Sequence, residues 1–269
     1  YRYFSFSCPK HLLLGWRTNI QRFGRFLPKT LGLATDEDVR RKLVSLMEYA
    51  IIVAGGSGSR MGSDVPKQFL EICGLPILMH TIRRFRAYSR SLEVFVVLPE
   101  NQFELWRQLC RKHQFEESVQ TVAGGASRFQ SVRNGLAAIL SETGEVAIHD
   151  GVRPFVSIET IRQSFEVARQ KGSAVAAIAL KDSIRQVLPG GVSQSADRNL
   201  FRLVQTPQTF QVKLIKEAFR QPEQVFFTDD ASVAEAAGMP IELIAGSYDN
   251  VKLTTPEDLQ WAEFVLAKG

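Results

Sequence analysis

Nine residues after a short apolar run, Ala54-Gly55-Gly56-Ser57-Gly58-Ser59-Arg60-Met61-Gly62, have the types and spacing of a phosphate-binding loop. Glycines directly after a buried strand let backbone N–H groups approach a ligand closely, and a concavity of N–H groups binds phosphate. Two common phosphate motifs can be tested against the loop. The dinucleotide fingerprint needs glycine where Met61 stands, and the ATP/GTP loop needs Gly-Lys-Ser/Thr, so the loop matches neither. A glycine loop alone signals only a tight strand-to-helix turn. Arg60 within it and Lys67 shortly after, in Val65-Pro66-Lys67-Gln68-Phe69, add fixed cations. Cations at that distance can neutralise charge that builds up during phosphoryl transfer. Most surface Lys and Arg are merely solvated, but a lysine stiffened by Pro66 beside a glycine loop points to the phosphate.

Further along, Asp150 ends an apolar run, Glu145 to His149, where ligands collect at the carboxyl edge of an α/β sheet. A carboxylate there can help hold a phosphate-bound Mg2+ or a ribose, or can simply cap the next turn. His149 is expected to be a packed strand-end residue rather than a catalytic base. Gly124-Gly125 marks a second tight turn. Thr206 precedes Pro207, which keeps it extended and would aim its hydroxyl into a site.

The ordered set of short motifs is more specific than any one of them. It comprises the glycine loop with Pro66-Lys67-Gln68-Phe69, Gly124-Gly125-Ala-Ser-Arg128-Phe-Gln-Ser131, and His149-Asp150-Gly-Val-Arg153-Pro154. Asp197-Arg198-Asn199, Gln205-Thr206-Pro207-Gln208, Thr228-Asp229-Asp230 and Asp249-Asn250-Val-Lys252 complete it. From about Met47 to the C-terminus this resembles the 2-C-methyl-D-erythritol 4-phosphate cytidylyltransferases of the non-mevalonate isoprenoid pathway. The resemblance implies a Rossmann-like nucleotidyltransferase fold, a homodimer joined by a hairpin arm, and chemistry dependent on Mg2+ or another divalent cation. It implies that the acceptor's phosphate attacks the α-phosphorus of CTP in line and expels pyrophosphate.

By position, Arg60 and Lys67 match the pair that stabilises transition-state charge. Arg198 and Lys252 match the pair that positions the acceptor, joined by Ser183, where the family usually has Thr, and by Thr206. Ala54, Gly55, Gly56, Ser57, Gly58, Gly125, Arg128, Ser131 and Asp150 fall to the nucleotide, with the metal held mainly through CTP phosphates and by Asp150. Arg198 is expected to serve the neighbouring subunit's site. The nearest rival is ribitol-5-phosphate cytidylyltransferase, against which stands Asp197-Arg198-Asn199-Leu-Phe. An NAD(P)-dependent oxidoreductase is opposed by the failed glycine spacing, and a non-catalytic homologue by the intact Arg60, Lys67, Arg198 and Lys252.

The elements that must position these residues follow from periodicity. Short buried strands are expected at 49–54, 93–98, 119–123, 145–149, 173–180 and 241–245. Helices are expected at 76–88, 102–113, 157–170 (stopped by Gly172), 229–237 (ended by Gly238) and from Thr255-Pro256 onward. Ser127 with Gln130 predicts a capping box opening a helix through Leu140. This alternation predicts an α/β fold: a mostly parallel sheet with helices on both faces. One stretch, about 181–205, breaks the rhythm with two alternating runs around Pro189-Gly190-Gly191, a β-hairpin read as polar on both faces and as an arm for a second subunit.

Composition bounds the partners. The chain has 269 residues, 45% hydrophobic and 23% charged, which is ordinary globular usage. Nine Lys/Arg and three Asp/Glu precede Met47, so of the net +5 that segment carries +6 and the remainder −1. A nucleic-acid groove would need a basic stripe across the body, so nucleic acid is excluded as a partner. No apolar run reaches membrane-spanning length. The first 46 residues, free of acids up to Ala34, have the composition of an organelle-targeting peptide. A helical appendage and upstream sequence before a start at Met47 are the other readings, and the last is preferred here. The expected site of action is the bacterial cytoplasm, or a plastid-type organelle if the segment is a transit peptide. The domain proper is expected at 47–269. Three scattered cysteines, Cys8, Cys73 and Cys110, fit a reducing compartment, with Cys73 and Cys110 expected as small core residues.

Overall fold

A computed structural model of the chain describes residues 47–56 and 65–267. The basic segment before Met47 lies outside these residues, as does its expected role. The first strand, β1 (Glu48–Val53), has four consecutive buried residues at its centre, because both of its faces are covered. Its side chains alternate between two cores. Tyr49 and Ile51 join Phe95 and Val97 on one side, whereas Ala50 and Ile52 join Val94 and Val96 on the other. A strand with two dry faces must read as a continuous apolar run, which is why EYAIIV carries no polar alternation.

After β1 come a 3-10 turn at Lys67–Phe69 and a small hairpin, β2 (Glu71–Ile72) and β3 (Leu75–Pro76), that leads into α1 (Ile77–Tyr88). Then follow β4 (Glu93–Leu98), α2 (Phe103–Lys112), β5 (Gln120–Ala123), α3 (Arg128–Ala138), β6 (Glu145–Asp150), α4 (Ile158–Lys171) and β7 (Ser173–Ala179). The arm is β8 (Ile184–Val187) and β9 (Ser193–Ala196). The chain returns through β10 (Arg202–Gln211), α5 (Val212–Ala218), α6 (Asp230–Ala236), β11 (Leu243–Ala245) and α7 (Pro256–Leu266).

Seven of these strands form one sheet in the order β11-β7-β10-β6-β1-β4-β5. All neighbours pair in parallel except β10, which runs antiparallel to both β6 and β7. Helices α3, α5 and α6 cover one face, and α1, α2 and α4 the other. The α/β architecture with a protruding hairpin is therefore as expected.

Three local expectations need correction. Periodicity predicts no element from Arg202 to Gln211, yet this run forms the longest strand among the described residues. Pro207 argues against a central strand because it has no N–H for the ladder. Here it sits where the pairing with β7 shifts register between Val204 and Gln208, so no ladder donor is lost there. Second, the Ser127 cap closes on one side only. Ser127 Oγ accepts from Gln130 N at 3.1 Å, but Gln130 Oε1 takes the N–H of Ala126 rather than that of Ser127. Helix α3 also ends at Ala138, before Leu140. Third, Cys73 is exposed, because it forms the turn between β2 and β3 with φ 49°, and Cys110 is only partly buried.

Other boundaries follow their signals. Gly172 takes φ 95° to end α4, and Thr255 with Asp258 closes a complete capping box on α7, with Pro256 at its first position. The arm carries exposed Val187 and Val192, so it is not polar throughout. Among the described residues no helix is long and apolar enough to cross a membrane.

Candidate active site

Strands β1 and β6 are neighbours whose chains leave in opposite directions, β1 towards β4 and β6 towards β7. Such a switch point opens a crevice at the carboxyl ends of the strands. Backbone bonds pin the loops that line it. Ala54 N donates to Val97 O at 2.9 Å, Gly124 N to Leu98 O at 2.8 Å, and Gly151 N to Val53 O at 2.8 Å.

The first of two adjoining clefts there is lined by Ala54, Gly55, Gly56, Lys67, Gly125, Arg128, Ser131, Asp150 and Lys252 among others. Close approach requires glycine at one position and shows at another how near Lys67 lies to the loop. A Cβ at Gly56 would lie 3.0 Å from Lys67 Cε and 3.4 Å from its Nζ, so the lysine runs across the bare backbone of the loop. A Cβ at Gly125 would collide with Gln130 Cβ at 2.3 Å. The turn bearing Lys67 is anchored by Phe69, which is buried and stacks on Trp106 at 6.2 Å between ring centres. Ser131 Oγ accepts from Gly125 N at 3.1 Å, which fixes the second glycine turn.

The second cleft is lined by Val204, Gln205, Thr206, Gln208, Thr228, Asp229 and Arg153, and shares Arg128, Asp150 and Lys252 with the first. Its walls come from residues distant in sequence. Asn250 Nδ2 donates to Thr206 O at 2.8 Å, and Gln205 Nε2 to Ser247 O at 2.8 Å, tying the irregular part of β10 to the loop before Lys252. Leu253 N donates to Val152 O at 2.9 Å, so Lys252 projects between two fixed neighbours. Gln208 joins β10 to the start of α6, donating to Asp229 Oδ2 and accepting from Ala231 N, both at 2.8 Å.

Asp150 is the electrostatic centre. Its Oδ2 accepts from Arg153 Nε at 2.9 Å and lies 3.2 Å from Lys252 Nζ. Burial would raise its pKa, but the charges of Lys252, Arg153 and Arg128 outweigh that and hold the carboxyl well below the usual range. Arg128 forms a two-point pair with Asp230, both bonds 2.6 Å. Burial opposes its charge, and the Asp230 carboxylate more than restores it.

His149 is fully buried, and burial lowers its pKa to about 4, so the ring is neutral at pH 7. Its hydrogen bonds fix the tautomer. Nε2 lies 3.1 Å from the Arg153 carbonyl and must donate, so Nδ1 accepts from the Thr206 hydroxyl at 3.0 Å. The same Thr206 oxygen accepts from Asp150 N at 3.1 Å. Thr206 lines the second cleft, yet its hydroxyl is spent on holding the Asp150 backbone and His149. That differs from the expectation that it would point freely into the site. His149, packed edge-on against Phe85 at 5.0 Å, is a structural residue as expected.

The structure thus gathers Ala54, Gly55, Gly56, Lys67, Gly125, Arg128, Ser131, Asp150, Thr206 and Lys252. Ser57, Gly58 and Arg60 lie outside the described residues. Ser183 and Arg198 are exposed on the arm and line neither cleft, with Arg198 donating to the Lys181 carbonyl. Arg153, Asn250 and Asp230 stand within the sequence motifs but carry no role on sequence grounds. Arg153 and Asn250 lie within three positions of Asp150 and Lys252, whereas Asp230 has no site residue near it in sequence, and nothing local specifies a partner for any of the three.

The family model described as "IspD: 2-C-methyl-D-erythritol 4-phosphate cytidylyltransferase" matches residues 48–268. A protein of that name from Bacteroides thetaiotaomicron is 46% identical over 215 residues, covering 80% of this chain and 97% of its own length. One from Porphyromonas gingivalis is 48% identical over 219 residues, covering 81% and 97%. Among solved structures, 4-diphosphocytidyl-2C-methyl-D-erythritol synthase from Anaerococcus prevotii superposes with TM-score 0.71 at 26% identity, covering 83% of this chain and 97% of that one. The Thermus thermophilus 2-C-methyl-D-erythritol 4-phosphate cytidylyltransferase gives TM-score 0.66 at 31% identity, covering 83% and 100%. A two-cleft site at the sheet's switch point, read together with a match spanning the domain, leads to one conclusion: the chain belongs to the 2-C-methyl-D-erythritol 4-phosphate cytidylyltransferase family.

Proposed function

We propose that this chain transfers CMP from CTP to 2-C-methyl-D-erythritol 4-phosphate, forming 4-diphosphocytidyl-2-C-methyl-D-erythritol and releasing pyrophosphate. The observation that carries this reading is the pair of adjoining clefts that share Arg128, Asp150 and Lys252. One cleft has the glycine backbone and Lys67 that suit a triphosphate. The other has Lys252 for the phosphate of an acceptor. The acceptor phosphate is already ionised near pH 7 and needs no base, in keeping with a neutral, buried His149. An oxygen of that phosphate bonds to the α-phosphorus as the bond to the β-phosphate oxygen breaks, and pyrophosphate leaves with the electron pair. Lys67, with Arg60 as its expected companion, neutralises charge on the transferring group. Family membership favours methylerythritol phosphate over ribitol phosphate as the acceptor.

The donor set suits a magnesium ion held mainly by the nucleotide. Among the described residues no three His, Cys, Asp or Glu cluster together. Magnesium is commonly held by one or two carboxylates together with substrate phosphates. Asp150 is the carboxylate in the shared wall of the clefts that would help hold the ion. When bound, the ion would supply charge neutralisation on the triphosphate.

The arm is read as the dimer contact. Val187 and Val192 on the hairpin and Leu200, Phe201 and Leu203 at its base are exposed, and a second copy of the chain would cover them. Arg198, outside both clefts of its own chain, is then the residue offered to the neighbouring site. The decisive measurement is pyrophosphate release from CTP with each acceptor. Turnover with methylerythritol phosphate is expected, and equal or faster turnover with ribitol 5-phosphate would overturn the choice of acceptor. Light scattering on the intact chain and on one lacking the arm tests the dimer, which should become a monomer.

A further inference from the structure

Arg128 stands in the wall common to both clefts, and the residue that seats it carries no assigned role. Asp230 is the first residue of α6 and is wholly buried. Its two carboxylate oxygens accept from the two Nη atoms of Arg128, at 2.6 Å each, across 102 positions of sequence. A buried pair of this kind is often no more stable than an apolar pair of the same volume, so stability alone does not account for it. What a planar fork against a carboxylate does provide is position, because two parallel bonds fix both the place and the plane of the guanidinium.

The pair is also one-sided. The Asp230 side chain is 0% exposed and that of Arg128 is 31% exposed, so the cleft meets the guanidinium and not the carboxylate. Of the five N–H groups of an arginine, Asp230 engages two. The reaction must bring an acceptor phosphate against a triphosphate, two anions that repel at close range. Among the described residues, the cations lining both clefts are Arg128 and Lys252. Lys252 is a point charge on a flexible stem paired with Asp150, whereas Arg128 is held at two points. A preorganised cation stabilises a transition state because it need not reorganise when charge develops.

We propose that Asp230 is a positioning residue that locks the Arg128 guanidinium at the boundary of the two clefts, where it offsets repulsion between the acceptor phosphate and the α-phosphate of the nucleotide. The proposal rests on the cytidylyl-transfer reading above. Asp230→Asn keeps the side-chain volume but replaces one accepting oxygen with a donor. It should lower kcat about 100-fold, the scale of one misplaced transition-state donor, and change KM for CTP little. Arg128→Ala should lose a similar factor, and the double variant no more than either single one, since residues acting as a unit are not additive.

Added guanidinium ion should restore turnover to Arg128→Ala, where Asp230 remains to seat it, and fail to do so in the double variant. A purely structural role for Asp230 would not produce that difference. Wild-type kcat in Asp230→Asn, additive losses, or equal rescue in both backgrounds would overturn the proposal. Should Asp230→Asn not fold, Arg128→Lys serves instead. It keeps the charge and loses the fork, and a wild-type rate there is equally fatal. A wild-type chain that releases no pyrophosphate from CTP with either acceptor would sink the functional reading itself, whereas an active wild type with an unaffected Asp230→Asn sinks only the positioning role.

Discussion

The two clefts are built by different means. The cleft proposed for the nucleotide rests on backbone: glycine turns at the ends of β1 and β5, each pinned to an adjacent strand, with Lys67 drawn across Gly56. The acceptor side rests on side chains that reach across the fold, with Gln205 and Asn250 bridging 45 positions, Thr206 and His149 bridging 57, and Gln208 tied to Asp229. A backbone cradle recognises any phosphate chain, because N–H groups carry no side-chain identity. A cleft walled by amides, a threonine and a lysine can be tuned to one polyol phosphate. On the proposed function, catalysis falls to the backbone-built cleft and acceptor choice to the side-chain-built one.

The sharpest way to break this contrast is Lys67→Ala. Turnover should fall about 100- to 1,000-fold, as for loss of one preorganised charge donor, with circular dichroism and oligomeric state unchanged. A wild-type rate would remove Lys67 from the chemistry. Next comes Lys252→Met, which keeps the apolar stem. It is expected to raise KM for the acceptor about 10-fold or more, the scale of a lost charged hydrogen bond, while KM for CTP moves little. Equal rises in both constants, measured in the same steady-state assay, would erase the division between the clefts.

A smaller effect is expected in stability. Thr206→Val leaves Asp150 N–H and His149 Nδ1 without their partner and should cost about 1–3 kcal/mol in urea unfolding. A stability change near zero would mean that water replaces the hydroxyl. The smallest is a pH slope. Burial lowers the His149 pKa to about 4, whereas the unfolded chain titrates near 6.5. Between these values the unfolded state binds the extra proton, so the stability present above about pH 6.5 is lost as pH falls towards 4, at up to about 1.4 kcal/mol per pH unit. Burial also lowers the His80 pKa, and that contribution has the same sign. His149→Gln should flatten the slope between pH 7 and 5, and an unchanged slope would assign it to other groups.

Legibility in the sequence divides along the same line. The glycine turns, the apolar strands, the helix starts at Ser157 and Asp229 and the cap at Thr255 are readable because each is settled by interactions within a few residues. Strand β10 is not legible, since Pro207 and the unbroken run Gln205-Thr206-Pro207-Gln208-Thr209 deny it a strand's pattern, and only the register shift beside β7 makes room for the proline. The strand-end position marks Asp150 as a site residue, and resemblance to known proteins marks Lys252 and Arg128. Neither says that Asp150 would be gripped by Arg153 and Lys252, or Arg128 by Asp230.

Strand periodicity and glycine sterics act locally and survive any tertiary detail, so an α/β sheet with a glycine-rich edge was specified by the linear order alone. Only the folded chain decided which charges meet. Carboxylates and guanidinium groups pair by distance in space, and the crossing at β1 and β6 brings together residues that the linear order leaves some hundred positions apart.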